Sequence, residues 1–223
     1  GETSSLKGKA AKVIDATGMI VAPGFINVHG HEGVIYDTLA YGALDGITTW
    51  IGGNCGSSPY PLADFFADLE ATGITSNYGA FLGHHELRGS VGLGPYTVAT
   101  QEQIDSMVGK VAAEMEAGAL GMSFGPFYHP MVTYPEMKAL AAETAAHGGG
   151  ASIHVRYAVP YPVPADPTGN PKQDLLDVNA IDEAINLARE TGIPLLISHM
   201  GGPLLGKGSA GLALEMIGTA LEE

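Results

Sequence analysis

The sequence has little of three things: cysteine, basic charge and long apolar runs. With a single cysteine, Cys55, no internal disulfide can form. A reducing, cytoplasmic setting is therefore expected. Ten Lys and Arg stand against 24 Asp and Glu, giving a formal net charge of −14. A nucleic-acid binder needs a basic stripe, and this balance supplies none. Polar residues, glycines or prolines interrupt every apolar run before it reaches the roughly 20 residues a membrane span needs, so no membrane partner is expected.

What is present is a rhythm. Short apolar runs occupy residues 19–28, 46–53, 77–83, 119–124, 150–155 and 194–200. They are apolar throughout rather than alternating, as parallel strands covered on both faces must be. Between them lie helix-like stretches such as PLADFFADLEATG, QEQIDSMVGKVAAEMEAG, YPEMKALAAETAAHGG and NAIDEAINLARETG. Several close on a glycine just before the next strand, which suits a helix C-cap. The terminal ALEMIGTALEE reads as the helix after strand six.

Strand–helix units in a row imply either a doubly wound sheet or a (β/α)8 barrel. A sheet of the first kind is usually announced by a glycine-rich phosphate loop after strand one, and none is seen. Instead, chemically able residues follow strand after strand: His29 and His31, then Cys55, His84, His154 and His199. Residues at successive strand C-termini converge on one point in a barrel. The expected fold is a TIM-type α/β barrel of which about six βα units are present, over residues 21–223. Residues 1–20 read as the end of a small β-domain feeding it.

The stretch INVHGHEG holds the central motif. In an extended strand His29 and His31 point to the same side, well placed to grip one metal ion. Cys55, in the polar loop GGNCGSS, suits a thiolate ligand better than a buried small hydrophobe. His154 and His199 each end an apolar strand, where burial without a role would cost free energy. Together these residues suit one or two zinc ions, because nitrogen and sulfur donors favour zinc over magnesium or manganese. Zinc with an open position favours hydrolysis.

VIDATGMIVAPGFINVHGH resembles the start of the barrel in the amidohydrolase superfamily, whose first strand carries HxH. GITTWIGGNCGSSP, FLGHHELRGSVG, GALGMSFG, SIHVR and LLISHM follow in the order of its D-aminoacylase branch, the N-acyl-D-amino-acid deacylases. The resemblance covers nearly all of the chain. It implies that His29 and His31 hold the more exposed metal, and that Cys55, His154 and His199 hold the tighter one with the sulfur bridging. It implies a zinc-dependent hydrolase in which metal-bound hydroxide attacks the C–N amide of a small N-acyl-D-amino acid. The family's general base is an Asp on strand eight, and no residue here takes that role. A second chain or a further C-terminal segment is expected to supply it and to complete the barrel. Two alternatives are a cyclic-amide hydrolase of the hydantoinase or dihydroorotase kind, and a non-catalytic metal-binding subunit or fragment. The absence of a lysine on strand four, where Met122 and Ser123 stand, counts against the first.

For substrate binding the family often has a lysine two residues after the strand-six histidine, and Gly201 stands there. Arg156 and Arg88 are the candidate cations for a substrate carboxylate, with a structural salt bridge the competing role for Arg156. His84 is a candidate hydrogen-bond donor, and His85 and His129 are read as further histidines in active-site loops. Tyr157 and Tyr161, in the proline-rich stretch 157–174, are candidate pocket walls. His147 reads as a structural helix-end cation, and Glu114 and Glu116 as a solvated helix face.

Overall fold

The computed structural model describes residues 11–31, 35–156, 176–200 and 209–222. Residues 11–24 are mostly exposed and lead without strand or helix into β1 (Phe25–Asn27). The chain then alternates through α1 (Ile35–Leu44), β2 (Ile47–Gly52), α2 (Leu62–Thr72), β3 (Asn77–Ala80), β4 (Leu82–Gly83), α3 (His84–Gly89) and α4 (Gln101–Glu116). It continues through β5 (Gly121–Phe124), α5 (Tyr134–Ala146), β6 (Gly150–Ile153), α6 (Leu176–Thr191), β7 (Leu195–Ile197) and α7 (Ser209–Leu221).

Every strand pair is parallel, and strands are neighbours in chain order: β1–β2–β3 and β4–β5–β6–β7. β3 and β4 are one barrel strand interrupted at Phe81. The Phe81 N–H still donates to Gly52, and the Leu120 N–H donates to Ala80, so the two groups of strands join. A sheet that never reverses its winding is the barrel arrangement and not the doubly wound one. All six apolar runs became strand, with the first cut back to three residues.

Local chemistry sets the helix ends. Thr100 caps α4 by accepting from the Gln103 N–H, and Gln103 reaches back to the Thr100 N–H. Thr133 caps α5 ahead of Pro135 and Glu136, which suit a first turn. Gly73 closes α2 at φ 82, a left-handed conformation that costs glycine little. His147 ends α5 beside Glu143, 3.1 Å away, as its helix-end reading requires. α1 and α3 go beyond the helices read from the sequence.

The core lies between the sheet and the outer helices. Met107 and Val111 of α4, Met137 and Leu140 of α5, and Ile181 and Leu187 of α6 are buried among Leu82, Met122, Phe124 and Ile153. Full burial of each such side chain contributes roughly 1.5–3 kcal/mol. All four residues of β5 are buried, as a central parallel strand requires.

Glu114 departs from the expected solvated face. It is buried, and its carboxylate accepts the Leu62 N–H at 2.8 Å, tying α4 to the start of α2. One of the first-turn N–H groups of α2, otherwise orphaned, is thereby satisfied. Among the described residues no helix is long and apolar enough to cross a membrane.

Candidate metal centre

Four histidines and the cysteine follow the C-terminal ends of β1, β2, β6 and β7. β1 stops at Asn27, whose side-chain oxygen accepts the His29 N–H at 3.1 Å. Residues 28 and 29 form a bend, and the Gly30 N–H donates to Ile51. Cys55 follows β2 at φ 58, His154 follows β6 directly, and His199 follows β7 at φ 64.

The side chains converge on the sulfur. Cys55 Sγ lies 3.5 Å from His29 Nε2, 3.2 Å from His199 Nε2 and 3.4 Å from His154 Nδ1. A thiol donates one proton and its sulfur accepts only weakly, so three imidazole nitrogens at this spacing make a poor hydrogen-bond set but a good ligand set. Zinc–nitrogen and zinc–sulfur bonds of about 2.05 and 2.3 Å, meeting at a tetrahedral angle, would set nitrogen and sulfur about 3.6 Å apart. The donor set and its spacing therefore fit a zinc ion.

His29, Cys55 and His199 form the compact set, with ligand atoms all within 4.8 Å of one another. His154 meets the sulfur outside that set, and its Nε2 is buried with no hydrogen-bond partner. His31 is exposed, with its ring centroid 5.2 Å from that of His29. The period-two argument for HxH holds within a strand; β1 has already ended at Asn27, and the two imidazoles instead meet edge to face.

Burial, with the charges of His199 and His31, depresses His29 to about 4. Burial likewise takes His154 to about 4, and it lowers His199. These imidazoles are neutral at physiological pH, the form a metal ligand requires. Burial pushes the Cys55 thiol up to about 11, and a cation at the site is what reverses such a shift. Ser198, buried beside His199, stands with its hydroxyl 3.2 Å from His29 Nδ1 and so turns His29 Nε2 toward the sulfur. Phe127 and Tyr128 stack around His154, with ring centroids at 5.0 and 4.9 Å.

Three expected substrate contacts are corrected. His84 and Arg88 are not in an open loop: they lie on α3, fully buried, and both bind Glu136 of α5. Arg88 also donates to the carbonyls of Gly94 and Thr97, so the cluster ties down the chain after α3. Burial alone would raise Glu136, but His84 and Arg88 outweigh it and hold the carboxyl below its usual range. Arg156 takes its competing role, with two nitrogens on the Glu183 carboxylate at 2.9 and 3.1 Å and a third on the Pro130 carbonyl. Tyr157, Tyr161 and the stretch 157–174 lie outside the described residues.

His85 and His129 stack face to face, centroids 3.8 Å apart, and His85 Nε2 donates to the Gly125 carbonyl. Burial first, then positive neighbours, depress His129 to about 4. An unfolded histidine titrates near 6.5, so between about pH 6.5 and 4 the unfolded chain binds a proton that the folded chain refuses. Stability is expected to fall as pH drops through that window. His129→Gln should make the fall shallower in urea unfolding at about pH 7.5 and 5, and an unchanged pH slope would contradict it.

Sequence reasoning passed over Ser198 and Glu183 and gave no buried role to Asn54 or Glu136. Asn54 is fully buried and donates to the carbonyls of Gly30 and Ile51, binding the Cys55 loop to the HxH segment. The available signal was a polar residue in an otherwise apolar or glycine-rich run.

The profile of the amidohydrolase family matches residues 12–154. The chain is 30% identical to a D-aminoacylase of Alcaligenes xylosoxydans xylosoxydans, over 90% of this chain and 45% of that one. It is 31% identical to the N-acyl-D-glutamate deacylase of the same organism, over 85% and 41%. Among solved structures, a D-aminoacylase superposes with a TM-score of 0.81 at 26% identity, covering 100% of this chain and 50% of that one. The N-acyl-D-glutamate deacylase of Bordetella bronchiseptica, complexed with zinc and a phosphonate inhibitor, gives 0.77 at 27% identity, over 93% and 47%. A further D-aminoacylase structure, at 0.81, concerns a binuclear metal centre. The chain spans about half the length of the relatives it matches. With its profile match covering the HxH motif, Cys55 and His154, this chain belongs to the amidohydrolase family.

Proposed function

We propose that this chain carries the metal-binding part of a deacylase acting on N-acyl-D-amino acids. The observation that carries the reading is the set of three imidazole nitrogens facing one buried thiol at the ends of parallel strands. The likeness to deacylases supplies the substrate class. His29, Cys55, His154 and His199 are assigned as ligands, with His31 at the exposed side, for one or two zinc ions. Bound there, zinc would acidify a water toward neutral pH and polarise the amide carbonyl.

The chain's own residues do the rest of the work assigned to it. Ser198 orients the His29 ring and can accept its Nδ1–H, the tautomer that leaves Nε2 free for the metal. Cys55 contributes the negative charge of a thiolate, which a reducing, cytoplasmic setting would preserve. Phe127 and Tyr128 keep water from one side of His154. The general base is assigned to chain outside residues 1–223.

The test is zinc content and turnover of the purified full-length protein. Zinc with hydrolysis of N-acetyl-D-amino acids is expected. Hydrolysis of hydantoins instead would favour the cyclic-amide reading, and zinc without either activity would favour a non-catalytic subunit.

The barrel, on this reading, is completed by a further segment or a second chain. β1 and β7 are edge strands among the described residues, and Phe25, Ile26 and Val28 are exposed. Unpaired, apolar edges promote aggregation. Residues 1–223 expressed alone are expected to aggregate, and a soluble monomer melting cooperatively would overturn the proposal.

A further inference from the structure

Cys55 stands on a strained turn. It takes a left-handed φ of 58, uncommon for a residue with a Cβ, and Gly56 follows at φ 86. Such a conformation persists only where the surroundings over-determine it. Asn54 holds the preceding side through the carbonyls of Ile51 and Gly30. On the following side the Gly56 N–H donates to the Ser123 hydroxyl at 2.7 Å, and the Gly56 carbonyl accepts the His85 N–H. Beneath the turn, a Cβ on Gly125 would come within 2.3 Å of the Cys55 carbonyl oxygen, so glycine lets the two segments touch.

Ser123 is out of place by composition. It lies in β5 between Met122 and Phe124, wholly buried, where a hydroxyl costs free energy unless it is hydrogen-bonded. Its neighbour Ser152 in β6 is equally buried and donates to it at 3.2 Å. Two buried hydroxyls in adjacent strands thus end on one backbone N–H, next to the cysteine. The Cys55 side chain leaves a backbone whose dihedrals that N–H helps to fix, so the hydrogen bond sets where the sulfur points.

We propose that Ser123 is a positioning residue for the metal centre: through the Gly56 N–H it locks the strained turn that aims the Cys55 sulfur at His29, His154 and His199. The proposal rests on the assignment of Cys55 as a metal ligand. Without the hydroxyl, the Gly56 N–H loses its acceptor and the turn relaxes, carrying the sulfur away from the three nitrogens. Ser152 acts one step further out and leaves the Gly56 bond in place.

The experiment uses the full-length chain loaded with cobalt(II), whose thiolate charge-transfer absorption reports cobalt–sulfur bonding apart from turnover. The wild type should show the band and Cys55→Ala should lack it. If the wild type has no band, or Cys55→Ala keeps it, the ligand assignment itself fails. Ser123→Ala is expected to weaken the band and to lower zinc affinity about 10- to 100-fold. Ser152→Ala should lose comparable thermal stability and keep the band. Ser123→Thr and Ser123→Val, nearly equal in size, serve if alanine does not fold: threonine should keep the band and valine lose it. A wild-type band and zinc affinity in Ser123→Ala, or equal bands in the threonine and valine variants, would overturn the proposal.

Discussion

Glu136→Ala is expected to cost about 3–5 kcal/mol of folding stability, because it leaves a buried guanidinium without its partner. Arg88 and Glu136 are both fully buried, and the carboxylate also meets His84 Nε2 at 2.9 Å. Removing the carboxylate strands two groups at once. The guanidinium keeps the Gly94 and Thr97 carbonyls, which are neutral and do not balance its charge. His84 loses the partner that opposes the effect of burial on its protonation. Urea unfolding of the full-length protein measures the loss. A change below about 1 kcal/mol, the level of an exposed ion pair, would mean that the cluster is solvated and not sealed.

Cys55→Ala is expected to lower zinc affinity about 100-fold and to abolish deacylation in the full-length enzyme. Structural zinc sites gain roughly 10–16 kcal/mol from about four ligands, or about 3 kcal/mol each, which corresponds to about two orders of magnitude. The loss should be larger than for His31→Ala, because the sulfur faces three nitrogens whereas His31 stands exposed at the margin. Zinc titration against a competing chelator reads both variants. If Cys55 is only a small buried hydrophobe, alanine should leave zinc binding unchanged and reduce thermal stability slightly. Cys55→Ser keeps the volume and separates the two cases, since a serine hydroxyl is a poor substitute for a thiolate on zinc.

The corrected residues show where local reading reaches its limit. HHELRG offered a cation, Arg88, and a histidine, His84, that suited a substrate carboxylate, yet both face Glu136, 48 to 52 residues further on. Glu136 itself was visible as a first-turn acid of α5, a position that accounts for it without any buried partner. Arg156 and Glu183 lie 27 residues apart and are matched only when α6 returns against the loop after β6. Glu114 looked like one acid among several on a polar helix, and the loose amphipathic pattern of α4 could not mark it as buried.

By itself the sequence determined the alternation of strand and helix, the helix ends at Thr100, Thr133 and Gly73, and the residue types available at each strand terminus. Those features depend on periodicity and capping, which act over a few residues. Tertiary structure alone decided which of these residues meet. The Cys55 sulfur gathers nitrogens 26, 99 and 144 residues away in the chain, and Ser198 reaches His29 across 169. Such contacts follow from the parallel register and curvature of the sheet, which bring the strand ends to one point. The same register placed the Ser123 hydroxyl under the Cys55 turn, since that depends on where a strand stops and on what its neighbour presents there.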